Sequence, residues 1–184
     1  MELIGLNLRL RPLMIQDLPK LIIWNQDPEV QFFVDCDFPV ELGKFELWYR
    51  SNLPDRHYQI FAIETIDGCL IGDLELDHIC WSRREAELRI RIGEKAFWGK
   101  GFGTEALELI LKYVMEEKNF NRIYLRVYTF NYRAIRCYLK NGFKQIGILQ
   151  RKHNTWKEIV LMEITRTRYA KLQKNNFNHS QLVG

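Results

Sequence analysis

Trp98-Gly99-Lys100-Gly101-Phe102-Gly103-Thr104 decides how this chain folds, because the apolar period changes across it. Before it, Leu88, Ile90 and Ile92 alternate with polar residues in a segment from Ala86 to Ile92, the period of a strand. After it, Leu107, Ile110, Leu111 and Val114 fall on one face of a helix from about Gly103 to Lys118. The glycines therefore sit where a strand hands over to a helix. The first N–H groups of a helix have no internal acceptor, and the helix dipole is positive there. Glycines also let the main chain approach an anion closely, so the turn suits a phosphate or diphosphate. Taken alone, the glycines are equally consistent with a purely structural turn. A Walker loop is disfavoured because Lys100 lies inside the turn, and a dinucleotide fingerprint because an antiparallel meander precedes it.

Working outward, Leu6 to Arg11 alternates as a strand, and Asp17 and Asp27 stand at helix starts with Pro19 and Pro28 just after them. A helix is expected over Glu41 to Asn52. Strands are expected at Tyr58 to Thr65 and Leu70 to His78, joined by an Asp67-Gly68 hairpin turn. Beyond the glycine turn come a strand at Ile123–Tyr128, a helix at Tyr132–Leu139, and strands near Phe143–Leu149 and Glu158–Ile164. The expectation is one α/β domain over residues 1–170, with a mixed, mostly antiparallel central sheet and helices on both faces. Residues 171–184 read as a polar, flexible tail.

The chain has 184 residues, 47% of them hydrophobic, which is enough for a core burying roughly 70% of the unfolded surface. No apolar run approaches the roughly 20 residues that cross a bilayer, and the start lacks a signal-peptide layout. Neither membrane attachment nor secretion is expected. The net charge of +4 is too small to argue for nucleic acid. Cys36, Cys69, Cys80 and Cys137 form no C-x-x-C pair and read as reduced thiols of a cytoplasmic protein. The scattered histidines offer no second ligand pair at zinc spacing, so no metal is expected.

About 28 residues past the turn stands Asn131-Tyr132-Arg133-Ala134-Ile135-Arg136-Cys137-Tyr138-Leu139-Lys140-Asn141-Gly142-Phe143. With the glycine turn, in this order and spacing, the chain resembles the GNAT superfamily of acetyl-CoA-dependent N-acetyltransferases across roughly Ile71 to Ile146. Leu8-Arg9-Leu10-Arg11-Pro12, Trp24 to Val30 and Arg84-Glu85-Ala86-Glu87-Leu88 are similar to the branch of ribosomal-protein N-terminal and spermidine N-acetyltransferases. Arg133 to Tyr138 also resembles aminoglycoside 6′-acetyltransferases. Trp98 departs from the Gln or Arg that usually opens the family loop, which a backbone nest tolerates.

The resemblance implies acetyl-CoA as co-substrate. Arg91, Ile92 and Gly93 would offer a strand edge to the pantetheine amides. Trp98, Gly99, Lys100, Gly101, Phe102, Gly103 and Thr104 would hold the diphosphate. Asn131 would touch the pantetheine arm and Arg133 the 3′-phosphate. Tyr138 stands where the family carries the acid that protonates the leaving sulfur, and a core tyrosine is the competing reading. A free alkylamine with a pKa of about 10.4 is almost wholly protonated at pH 7, so a base contributes typically 10²–10⁴-fold. Glu87, in the strand before the turn, is the candidate base; a surface charge paired with Arg84 or Arg89 is the alternative. Ile92 lies where a donor to the thioester oxygen is common in the family.

The N-terminal loop is acidic and aromatic, and Glu29, Asp35 and Asp37 are candidate acceptor contacts, against the reading of a solvated loop. The acceptor is then a small cationic amine, polyamine-like, or a protein N-terminal α-amine, reached by direct attack in a ternary complex. An aminoglycoside acetyltransferase, a non-catalytic acetyl-CoA-binding module and an unrelated phosphate-binding domain are the other readings. Family members often form homodimers, which sets one expectation for assembly.

Overall fold

The computed structural model describes residues 2–34, 39–52, 55–150 and 158–182, with side chains through residue 175. Eight strands form one sheet: β1 (Leu3–Ile4), β2 (Leu8–Pro12), β3 (Gln59–Thr65), β4 (Leu70–Cys80), β5 (Glu85–Ile92), β6 (Arg122–Tyr128), β7 (Lys144–Leu149) and β8 (Ile159–Thr165). Their order is β1-β2-β3-β4-β5-β6-β8-β7, antiparallel at every step except β5 to β6. The helices are α1 (Leu18–Gln26), α2 (Pro28–Phe32), α3 (Leu42–Asn52), α4 (Phe102–Lys112), α5 (Tyr132–Lys140) and α6 (Arg166–Leu182).

Strand β3 shows why both faces of the sheet are covered. Phe61 and Ile63 join a core with Leu74, Leu76, Leu88, Leu125 and the α4 residues Leu107, Ile110 and Leu111. The alternate residues Ile60 and Ala62 join a second core with Leu18, Leu21, Trp24 and Phe45 from α1 and α3. Successive side chains point to opposite faces, so one strand feeds both layers.

Several local expectations are met. Asp27 accepts from the Glu29 and Val30 N–H groups and caps α2. Gly68 turns the β3–β4 hairpin at φ 86°. Other positions differ from the sequence reading. Leu6 continues the Leu8/Leu10 alternation but is exposed, because Gly5 donates to the Leu8 carbonyl and the chain turns between β1 and β2. Asp17 makes no side-chain cap to α1; its carboxylate accepts from Arg11 Nη1 and Nη2 and from the Met14 N–H instead. Helix α4 does not run unbroken to Lys118. Its end widens into a π-turn over Tyr113–Glu117, and Asn119 stops it in a left-handed conformation, φ 58°. Within the segment read as a loose polar tail, residues 171–182 continue α6, which is anchored near its start by Tyr169, whose hydroxyl donates to Glu116 at 2.8 Å.

Candidate active site

The ladder between β5 and β6 lasts only three pairs: Glu85–Arg122, Ala86–Ile123 and Glu87–Tyr124. Past Glu87 the two strands part, and the gap opens toward α4 and α5. In an antiparallel pair the main-chain groups of alternate residues face the same neighbour. Gly93 donates to Ile71 on the β4 side, so Ile90 and Ile92 turn their main-chain groups toward the gap. The strand edge expected over Arg91, Ile92 and Gly93 is thus offset by one residue. Ile92 is one of the facing residues, and Ile90 was missed. The Ile92 carbonyl is occupied, accepting from Trp98 Nε1 at 2.6 Å.

Arg91 and Gly93 have other duties. The Arg91 guanidinium is buried against Asp73 (2.6 and 2.7 Å) and Asn25 Oδ1 (2.5 Å). A Cβ on Gly93 would lie 2.0 Å from the Trp24 ring, so only glycine lets β5 close onto α1 there.

The glycine bend follows. Gly99 (φ 73°) and Gly101 (φ 93°) adopt conformations that favour glycine, and a Cβ on either would meet open space. Internal bonding of α4 starts with the Thr104 and Glu105 N–H groups on the Gly101 carbonyl, so the preceding N–H groups have no acceptor within the helix. This is a nest for an anion. Thr104 Oγ1 lies 3.3 Å from Cys137 Sγ, tying α4 to α5. Lys100 points elsewhere, with Nζ 5.8 Å from the Phe97 ring centre, and Phe102 packs edge-on against Phe97.

Two cavities meet at this splay. The larger, about 460 Å³, runs along Ile90, Ile92, Trp98, Gly99, Gly101 to Thr104, Asn131, Arg133 and Tyr138. The smaller, about 80 Å³, lies on the α1 side and is lined by Asp73, Glu75, Glu87, Arg89, Arg126 and Tyr128. Phe33, Val34, Ile90, Arg91, Asn131, Ala134 and Tyr138 border both. Asn131 is buried, and its Oδ1 caps α5 by accepting from the Ala134 N–H. Tyr138 is buried on α5, and burial pushes its phenol well above its ordinary pKa. Arg133 stacks its guanidinium on Trp98, and burial lowers its pKa.

Glu87 faces the smaller chamber, where Arg126 Nε donates to it at 2.8 Å, with His78 Nδ1 and Arg89 Nε within 4 Å. Glu29 is not brought there; it pairs with Lys95 at 3.0 Å and borders neither cavity. Asp35 and Asp37 lie outside the described residues. Sequence reasoning missed Asp73 and Glu75. The signal was present: Asp73, Glu75 and Asp77 alternate with Gly72, Leu74 and Leu76, so β4 has one acidic face. Among the described residues, no three His, Cys, Asp or Glu side chains are placed to hold one metal ion.

A family model described as an acetyltransferase (GNAT) domain matches residues 7–144. The chain belongs to the GNAT acetyltransferase family. Spermidine N(1)-acetyltransferases are among its relatives. That of Vibrio cholerae is 29% identical over 149 residues, 79% of this chain and 80% of the relative. That of Escherichia coli K12 is 31% identical over 153 residues, 78% of this chain and 76% of the relative. The crystal structure of spermidine N-acetyltransferase from V. cholerae in complex with CoA and spermine superposes with a TM-score of 0.82 at 26% identity. It covers 89% of this chain and 98% of that one. This GNAT protein is an acetyl-CoA-dependent N-acetyltransferase.

Proposed function

We propose that this enzyme acetylates a small polyamine-like amine, with acetyl-CoA in the larger cavity and the acceptor's ammonium head in the smaller. The observation that carries the reading is the meeting of the two cavities at Tyr138, with three carboxylates, Asp73, Glu75 and Glu87, walling the inner one. Arg89, Arg91 and Arg126 line the same chamber, so a cation is held by the carboxylate oxygens that these arginines leave open, and the Tyr128 ring on the same wall adds an attractive aromatic face. The V. cholerae relative, crystallised with CoA and spermine, supports the same acceptor class.

The residues divide the work in space. The nest at Gly99–Gly103 and the dipole of α4 receive the diphosphate. Ile90 and the Ile92 N–H provide the strand edge that a pantetheine arm extends. Tyr138, kept protonated by burial, donates to the departing sulfur. Asn131 fixes the start of α5 and thereby the position of Tyr138, seven residues on. Both substrates occupy their cavities together, so the amine attacks directly without an acyl-enzyme. No helix among the described residues is long and apolar enough to cross a membrane. A cytoplasmic location fits the unpaired thiols of Cys69, Cys80 and Cys137, and assembly as a homodimer fits the family.

Thiol release from acetyl-CoA tests the reading, with spermidine, spermine and a Ser-Ala N-terminal peptide as acceptors. Polyamines are expected to give the higher kcat/KM by at least tenfold. A preference for the peptide would replace them with α-amines.

A further inference from the structure

We propose that Glu75, rather than Glu87, is the carboxylate that takes the proton from the acceptor amine. The inference rests on the acetyl-transfer reading and deepens it by assigning the base within the inner chamber. Three carboxylates wall that chamber, and their contacts separate them. Asp73 is clamped by Arg91 at 2.6 and 2.7 Å. Glu87 accepts from Arg126 at 2.8 Å, with His78 and Arg89 close by. Glu75 is held more loosely, with Arg89 Nη1 3.5 Å from Oε2, although only 2% of its surface is exposed. Of the three it is the one without an ion pair shorter than 3.5 Å, the Tyr58 hydroxyl being its other partner.

The surroundings of Glu75 also tune it for the task. Asp73 and Asp77 share its face of β4; Arg89, Arg91 and Glu87 face it from β5, Arg126 comes from β6, and Tyr58 stands just before β3. Burial first, and the Asp73 charge next, push Glu75 up to about 7, against the opposing pull of Arg89, Tyr58 and Arg91. A base works best with a pKa near the working pH, and a carboxylate at 7 is a far better partner for an ammonium of about 10.4 than one at its ordinary value.

The step balances as follows. The ammonium gives one proton to a Glu75 oxygen and becomes a neutral amine. Its nitrogen lone pair forms the C–N bond to the acetyl carbon, and the C–S bond breaks with its electron pair left on sulfur. The phenolic proton of Tyr138 goes to that sulfur, and the nitrogen's surplus proton restores the phenol. Glu75 then returns its proton to water. The products are the amide, CoA thiol and one proton.

The test is the pH dependence of kcat in wild type, Glu75→Gln and Glu87→Gln, using whichever of spermidine, spermine or the Ser-Ala peptide the wild type acetylates fastest. An error in acceptor class then shows in the wild type, and an error in the base shows only in the variants. The wild type should lose activity below an apparent pKa near 7. Glu75→Gln should lower kcat about 100-fold or more and abolish that acidic limb, with CoA affinity within about twofold. Glu87→Gln should keep the limb. A limb that survives in Glu75→Gln, or a wild type without one between pH 6 and 8, overturns the assignment. If Glu75→Gln fails to bind CoA, Glu75→Asp replaces it. The limb then moves along the pH axis for a base and stays in place for a bystander.

Discussion

The Arg133 guanidinium sits 3.9 Å from the centre of a Trp98 ring, joining α5 to the glycine bend across the mouth of the larger cavity. Phe33 adds a second ring, 5.2 Å from the same guanidinium. Trp98 thus does two things at the position where the family usually carries Gln or Arg. It ties the bend to the Ile92 carbonyl and gives Arg133 a surface to rest on.

In the proposed binding mode, the stacked Arg133 meets the 3′-phosphate of the cofactor. A charged hydrogen bond contributes about 1.5–3 kcal/mol, so Arg133→Ala is expected to weaken CoA binding by roughly tenfold or more. Calorimetry with 3′-dephospho-CoA should show a loss of less than about threefold. Equal losses for both ligands would leave Arg133 a packing role only.

Gly101 precedes α4 at φ 93°, with empty space where a side chain would begin. Gly101→Ala is expected to cost about 1–2 kcal/mol from its left-handed backbone. The new methyl also enters the cavity, so the Kd for CoA should rise at least tenfold while the melting temperature falls by only a few degrees. A variant that binds CoA normally would place the diphosphate elsewhere.

Tyr138→Phe keeps the ring and its packing against Phe143, so CoA affinity should hold while kcat falls tenfold or more. Burial raises the phenol's pKa, which extends the pH range over which it remains a donor. The wild-type rate should therefore show no basic limb belonging to Tyr138 below pH 10. Turnover unchanged by the substitution would remove Tyr138 from the chemistry.

Acid stability has an identifiable contributor at β2 and β3. Burial alone would raise the Glu64 carboxyl, but Arg9 and Arg11 outweigh it and hold it below its ordinary value of 4.5. A depressed carboxylate stabilises the fold above its unfolded pKa, and that contribution fades as pH falls through the lower, folded value. Chemical denaturation of Glu64→Gln should show lower stability at pH 7 and a shallower decline below about pH 4.5. Parallel curves for the two proteins would contradict this.

Local features were legible because local physics produces them. The change of period around Gly99–Gly103 announced strand, bend and helix, and Asp27 and Asp67-Gly68 announced a cap and a hairpin. The parting of β5 and β6 was not legible, since it depends on where a three-pair ladder ends between segments some 35 residues apart. Glu75 escaped notice for a related reason: alternation shows that it shares a face with Asp73, but not that α1 covers that face. Gly93 reads as a cofactor contact in the sequence, whereas the close approach that requires a glycine there is to the Trp24 ring. The C-terminal helix has few apolar anchors, Tyr169 and Leu172 among them, too few to raise a periodic signal.

The most direct test is a crystal structure of the enzyme with CoA and spermine. The account predicts the diphosphate on the Gly99–Gly103 amides, the CoA sulfur within about 3.5 Å of the Tyr138 hydroxyl, and an amine in the chamber beside Glu75. A CoA bound away from the bend, or a Tyr138 ring turned from the sulfur, would contradict it.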